Sequence, residues 1–526
     1  MEVTKIKGSI YLLGFILFIA SCLGHAATLP DADEHAFSSE DRTALHFPAE
    51  TSPLSDNDWL SHYFDKKTIT EAINFIATAV HHGLDPKDYQ LSTLKKLLAA
   101  SADIPDKPKF YRLLSVHLAL FIHDLKKGRY DPAFADPDWH IPKDDFDAQK
   151  FLIHALESKN LGSHLQYISP RNSEYKQLTE ALKTFRLFAK QDNWSHIPAT
   201  PLIRPGDSHP AIAIIQSRLA AEDKIIALSH TVQSDFYDPL MEQAVKRFQA
   251  RHGLKIDGII GPKTREAMNV TAKQRVNQIK VNLERYRWLP ADFGERYIYI
   301  NLPSFKLKAV ESGQEKLEMK VIVGRQSRQT PSFFSQLQHM VFNPYWTVPR
   351  KLARLDLLPI QQQNPNYFIE NNIKVFSVES GQKIEQDPST IDWQSYSKNK
   401  NLPYTLRQEP GHHNALGQIK FLFQNPWSIF LHDTPHRSLF EDENRAFSSG
   451  CIRVEDPISL ASFTLNKPSQ QHIIQQNIDS EQNRGLKLQQ SVNIFVAYFT
   501  VSPEDNQVVF SQDIYQRDQR MIKLLY

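Results

Sequence analysis

The chain has 526 residues, with 61 Lys and Arg against 59 Asp and Glu, two cysteines and an apolar share of 41%, which is room for two to four domains. A formal net charge of +2 without a Lys/Arg-rich block offers no basic field for a nucleic-acid partner. An aromatic content of 11% excludes disorder as the main state, and the composition fits neither a membrane pore nor a collagen-like chain.

The N-terminus carries Lys5 and Lys7 ahead of an apolar run from Ile10 to Leu23, then Gly24-His25-Ala26-Ala27. This layout predicts a secretory signal over residues 1–27 and hence a periplasmic protein, either released or still membrane-anchored. The run is short for a spanning helix. Ile19-Ala20-Ser21-Cys22 resembles a lipoprotein box, which would tether the chain through a lipidated Cys22. With Cys22 spent there, Cys451 is the only other cysteine, so no internal disulfide can form. A lone thiol in an oxidising compartment is a liability unless it has a use.

Residues 28–55 are polar and without period, which predicts a flexible lead. Ile69, Ile73, Ile76 and Val80 then recur at helical spacing, as do Leu114, Leu118, Phe121 and Leu125, with Gly83 and Gly128 just past the two runs. Residues 56–195 therefore read as a helical scaffold whose His81, His82, His117 and His123 are surface or satisfied core positions. From 200 to 270, Ile215 with Leu219 and Ala244 with Phe248 mark two short amphipathic helices, and Gly261-Pro262 starts a third.

Short alternating or β-branched runs follow at Tyr297–Ile300, Phe305–Val310 and Val321–Val323, as an all-β sandwich or barrel requires. The polar stretch 351–404 interrupts this β region, which spans 284–500, and is too long for an ordinary connection; it predicts a lid or binding insertion. Residues 501–526 form a C-terminal segment expected to pack on the scaffold or on the β domain.

The chemistry concentrates in Ile429-Phe430-Leu431-His432-Asp433-Thr434-Pro435 and Phe447-Ser448-Ser449-Gly450-Cys451-Ile452-Arg453-Val454. Cys451 is a candidate nucleophile. His432, at the end of an apolar run, is the best candidate to take its proton. Gly450 permits a tight turn whose backbone N–H groups can converge on a developing oxyanion.

Two resemblances rest on these residues. Ala244-Val245, Phe248-Gln249, Gly253-Leu254, Asp257-Gly258, Gly261-Pro262 and Thr264 resemble the bacterial peptidoglycan-binding helical module. His432-Asp433-Thr434-Pro435 with Ser448-Ser449-Gly450-Cys451-Ile452-Arg453, preceded by Asn414-Ala415-Leu416-Gly417 and Lys420-Phe421, resembles the L,D-transpeptidase catalytic domain. The order of regions is similar to that of the large periplasmic Gram-negative members. The resemblance implies an α+β multidomain chain: a mainly helical scaffold, a three-helix peptidoglycan-binding module, and a β-sandwich catalytic domain with an inserted lid.

It further implies Cys451 as nucleophile, His432 as general base and the Asp433 carbonyl as its orienter. Ser449 and Gly450 would supply oxyanion donors, and Arg453, Trp346 and Asn414 would serve the substrate. The implied substrates are peptidoglycan stem peptides as donor and acceptor, joined by 3→3 cross-links through a thioester, with D-Ala released from tetrapeptide stems. No cofactor or metal is implied, whereas acylation by carbapenems is. Two positions depart from the family pattern: Ser449 stands where many relatives have histidine, and Phe430 where large members often have tyrosine. The alternatives are an L,D-carboxypeptidase or lipoprotein-attaching variant of the same chemistry, a non-catalytic wall-binding scaffold, and a zinc hydrolase using His412, His413 or His436 with His432 and Cys451.

Overall fold

The computed structural model describes residues 57–99, 107–191, 194–223, 225, 234–466, 471–504 and 507–525. The signal segment with Cys22 and the whole lead of residues 28–55 lie outside the described residues. Among the described residues no helix is long and apolar enough to cross a membrane.

The scaffold is built on helices α1 (Lys66–Ala77), α2 (Lys107–Lys127) and α3 (Ser173–Gln191). Asp65 caps α1 by accepting the Thr68 N–H at 2.7 Å, and Ile69, Ile73 and Ile76 face the core. Val80 leaves that stripe and is 37% exposed, because the chain tightens into a 3-10 turn at Thr78–His82 and the helical period changes. Gly83 ends this turn at φ 78°, a left-handed position that suits glycine. In α2 the expected stripe of Leu114, Leu118, Phe121 and Leu125 is wholly buried.

The next module comprises α4 (Ala211–Ala220), α5 (Pro239–Arg251) and α6 (Pro262–Asn269) around Ile212, Ile215, Leu219, Ala244 and Phe248. Gln249 at the end of α5 locks the following turn: its Nε2 donates to Asp257 Oδ1 and the Ile259 carbonyl, both at 3.0 Å, and its Oε1 accepts the Gly258 N–H at 2.8 Å. Helix α7 (Ala272–Arg287), opened by a Thr271/Gln274 capping box, leads from this module into the β domain and packs along α3.

The strands in chain order are β1 (Trp139–His140), β2 (Arg296–Asn301), β3 (Lys306–Glu311), β4 (Gln314–Gly324), β5 (Ser332–Phe342), β6 (Trp346–Thr347), β7 (Ile373–Glu379) and β8 (Gln382–Gln386). They continue with β9 (Thr405–Gln408), β10 (Ile419–Phe423), β11 (Leu431–His432), β12 (Ala446–Ser448), β13 (Ile452–Val454), β14 (Arg484–Ala497), β15 (Val501–Glu504) and β16 (Gln507–Phe510). The main sheet runs β1-β5-β10-β11-β13-β4-β3-β2-β14, and β14 pairs again with β5, so the path from β5 closes on itself. The layers of the β domain are thus the two sides of one continuous sheet wrapped around a core that includes Ile300, Leu307, Val321, Phe342, Phe421, Leu431 and Ile452.

The insertion has a core of its own. Strands β6, β9, β7 and β8 form a separate sheet, over which Leu357, Leu358, Phe368, Ile373, Val375, Trp393 and Leu406 pack. Because β6 pairs with β9, this subdomain is stitched together from Trp346 to Gln408, wider than the polar stretch alone suggests. The C-terminal residues, through Val501, Phe510, Met521 and Leu524 of β15, β16 and helix α9 (Arg517–Leu524; α8 is Pro457–Leu465), join the same core as the scaffold helices.

Candidate active site

Sheet alternation builds the site. In β10 the residues Ile419 and Phe421 point into the core, so Lys420 between them faces out; β11 buries Leu431 and β13 buries Ile452 and Val454. Register then sets Lys420 opposite His432 and His432 beside Arg453. Cys451 and Phe430 precede Arg453 and His432 by two residues and share their face. Five residues from three sequence segments thereby meet on one side of the sheet.

His432 is 5% exposed. Its Nδ1 donates to the Asp433 carbonyl at 2.5 Å, which fixes the tautomer with Nε2 unprotonated and available as an acceptor. Burial, reinforced by the nearby Arg453 and Lys420 charges, pushes its pKa down to about 3. The Asp433 side chain has a different task. Buried, it accepts the N–H groups of Thr434 at 2.7 Å and Gln418 at 2.8 Å and pairs with Arg437 at 2.7 Å, holding the loop that presents the carbonyl. Burial raises its pKa, opposed by those N–H groups and Arg437. Gly417 makes room for this carboxylate, since a Cβ there would lie 2.3 Å from Asp433 Cγ.

Cys451 is half-buried, its Sγ 3.8 Å from the Ser428 carbonyl. Burial pushes the thiol up, while the Phe430 N–H, Lys420 and Arg453 pull it down, and burial prevails. The resting pair is therefore a neutral thiol and a neutral imidazole rather than a preformed ion pair. Lys420 Nζ sits 3.9 Å from the centroid of the Phe430 ring, a cation–π contact. Burial lowers its pKa and the Cys451 sulfur opposes that shift.

The turn carrying Cys451 is clamped from three sides. Ser448 Oγ donates to the Cys451 carbonyl at 2.5 Å, Thr330 Oγ1 donates to the Gly450 carbonyl at 2.8 Å and accepts the Gly324 N–H at 2.9 Å, and the Arg325 N–H donates to the Ser448 carbonyl at 2.9 Å. Gly450 takes φ 116°, a conformation side chains disfavour. Its N–H, expected to face an oxyanion, instead donates to Ser448 Oγ at 3.1 Å, because the turn closes on itself. The Cys451 N–H keeps no acceptor among the described residues and is the backbone donor left for an oxyanion.

Four other expectations divide. Arg453 lies beside the sulfur, with its Nε buried and without a partner among the described residues. Asn414 is not free for substrate: at 1% exposure its Nδ2 donates to the Pro344 and Glu409 carbonyls, both at 2.9 Å, and its Oδ1 accepts the Leu416 N–H. Trp346 is half-buried in the insertion, where it packs against that subdomain's own core. Ser449 uses its hydroxyl to accept from Arg328 Nη1 at 2.8 Å, and the same guanidinium grips Asp356 of the insertion at 2.5 and 3.1 Å. Arg328 thus ties the insertion to the turn that carries Cys451. Its tertiary role has no local signature, whereas Lys420 was detectable as the one cation in an otherwise apolar strand. His412, His413 and His436 are exposed, and among the described residues no group of three His, Cys, Asp or Glu is placed to hold a metal ion.

Residues 295–474 match the L,D-transpeptidase catalytic domain family, residues 208–268 the family described as "Putative peptidoglycan binding domain", and residues 56–182 the Scaffold domain family. Matches to an L,D-transpeptidase catalytic domain, a peptidoglycan-binding domain and a scaffold domain thus stand side by side in one chain. A Haemophilus influenzae protein named "Putative L,D-transpeptidase" is 37% identical over 259 residues; the match covers 49% of this chain, which spans half of that relative's length. Solved structures with similarity include an L,D-transpeptidase from Xylanimonas cellulosilytica (14% identity, 57% of this chain and 99% of that one, TM-score 0.18) and one from Stackebrandtia nassauensis (13%, 57% and 97%, TM-score 0.20).

Proposed function

We propose that this protein is a peptidoglycan L,D-transpeptidase that forms 3→3 cross-links through a thioester on Cys451, exported to the periplasm by residues 1–27 and tethered to the membrane where Cys22 is lipidated. The observation that carries the reading is the single-face cluster of Cys451, His432, Lys420 and Arg453, with His432 locked in one tautomer by the Asp433 carbonyl.

In the donor half-reaction Cys451 Sγ attacks the carbonyl carbon between the third stem residue and D-Ala as His432 Nε2 takes the thiol proton. With a thiol raised by burial and an imidazole held near 3, proton transfer accompanies bond formation instead of preceding it. The negative charge passes to the carbonyl oxygen, where the Cys451 N–H and the Lys420 and Arg453 cations stabilise it. Collapse breaks the C–N bond, and D-Ala leaves with the proton from His432. In the acceptor half-reaction the side-chain amine of a neighbouring stem attacks the thioester, loses a proton to His432, and the sulfur departs and is reprotonated. The energy of the broken peptide bond is kept in the thioester, so no cofactor is required. The Arg328–Asp356 tie holds the insertion over the site, where exclusion of water favours transfer over hydrolysis.

Incubation with a carbapenem and intact mass measurement tests the assignment. A covalent adduct that vanishes in Cys451→Ala is expected; no adduct on the wild-type chain leaves a non-catalytic wall-binding scaffold. Digestion of treated sacculi distinguishes 3→3 dimers from the tripeptides that an L,D-carboxypeptidase would release.

A further inference from the structure

Away from Cys451, the scaffold carries a cleft of about 1530 Å3 between α3, α7 and the turn following α1. Lys176, Lys183 and Lys190 of α3 line it at intervals of seven residues. Seven residues bring a helix nearly back to the same azimuth, so these ammonium groups form a row about 10 Å apart along the axis. Lys273 and Lys280 of α7, also seven apart, enter the same cleft from the helix packed alongside, and Arg186 joins them. Lys176, Lys183, Lys190 and Lys273 have no carboxylate at ion-pair distance among the described residues. The acids lining the cleft are Glu71, Asp85 and Glu180; Glu71 is engaged by the Gly162 N–H and Lys67, and Asp85 caps its own turn. Burial lowers the Lys280 pKa, and Arg186 adds to that shift while Asp85 opposes it. At the rim Tyr167 is 61% exposed, with the Arg171 guanidinium 4.3 Å from its ring centroid, and Val80 and Leu187 add apolar surface.

We infer that this cleft is a second wall-binding site, which holds a carboxylate-bearing glycan-peptide strand of the polymer on which Cys451 acts; the inference rests on the proposed function for the identity of that polymer. Periodic cations in a concave channel suit a repeating polyanion, while an exposed aromatic ring beside apolar side chains suits the apolar face of a sugar. A bilayer surface is planar and would not enter a cleft. Helix α7 follows directly on the peptidoglycan-binding match and contributes Lys273 and Lys280 to the cleft.

Co-sedimentation of the full chain with purified insoluble murein, and separately with phosphatidylglycerol vesicles, tests this at low and moderate salt. The wild type is expected to bind murein with an affinity that falls as salt rises. Lys176→Glu/Lys183→Glu/Lys190→Glu should weaken binding at least about tenfold and flatten the salt dependence, and the triple Lys→Arg variant should retain it; unchanged unfolding midpoints show that these exposed changes leave the fold intact. Murein binding that is salt-insensitive, or equal in the charge-reversed chain, overturns the inference, as does a charge effect confined to vesicles. Carbapenem adduct formation followed in parallel separates the two readings: a chain that takes the drug but does not use its lysines on murein fails only here, and one that uses them but takes no drug fails only as an enzyme.

Discussion

The β-domain face around Cys451 and the scaffold cleft both gather cations, and they do so by opposite means. At Cys451 the charges come from distant segments aligned by strand register, are partly buried, and act on two titrating neighbours at short range. In the cleft they come from the seven-residue period of two helices and stay largely exposed. A cation removed from water tunes a neighbouring group, whereas one left in water recruits a distant partner and is screened by salt.

The sharpest break in that contrast is His432→Gln, which keeps the size of the side chain and removes the base. Acylation of Cys451 should fall by about 10²–10⁴-fold, and a variant as fast as wild type in stopped-flow acylation would remove His432 from the mechanism.

Burial of histidines predicts acid sensitivity next. His82 and His432 are lowered to about 3 and His117 to about 4, each by burial first. Their folded values lie below the unfolded one, so between pH 6.5 and about 4 the unfolded chain binds protons that the folded chain does not. Stability is full above pH 6.5 and falls as pH drops, by at most about 2 kcal/mol per histidine at pH 5. Urea unfolding at pH 7 and pH 5 checks this, and equal or higher stability at pH 5 contradicts it.

Cutting the lid tie is a smaller perturbation. Arg328→Met removes charge-assisted hydrogen bonds to Asp356 and Ser449 and should raise KM for stem peptides about tenfold, in line with about 1.5 kcal/mol of lost positioning, with little change in iodoacetamide alkylation of Cys451. A loss in alkylation equal to the loss in turnover would place Arg328 at the thiol instead of the lid. Smallest of all, Lys420→Met should move the pH midpoint of Cys451 alkylation upward by less than about one unit, since the cation favours the thiolate, and Lys420→Arg should restore it. A downward shift would reverse the assigned role.

Much of this architecture was legible along the chain. The α1 and α2 stripes, much of β2 and β3, the end of β4 and the Pro262 helix start follow local rules of period and capping. The insertion was legible as an interruption but not as a folded unit, because Leu357, Phe368, Val375 and Trp393 lie far apart and without period, and only their packing over the sheet of β6, β9, β7 and β8 draws them into one core. Asn414 shows the reverse error. A polar residue in a family motif suggests contact with substrate, yet its three hydrogen bonds all serve the backbone.

By itself the sequence singled out a candidate thiol and a candidate base, since a lone thiol after Ser-Ser-Gly and a histidine after an apolar run are local statements about chemistry. Tertiary structure alone decided which charges surround them, which N–H groups remain free and what holds the lid. Those depend on register, and a slip of one residue in β10 would turn Lys420 into the core and leave the imidazole beside different neighbours.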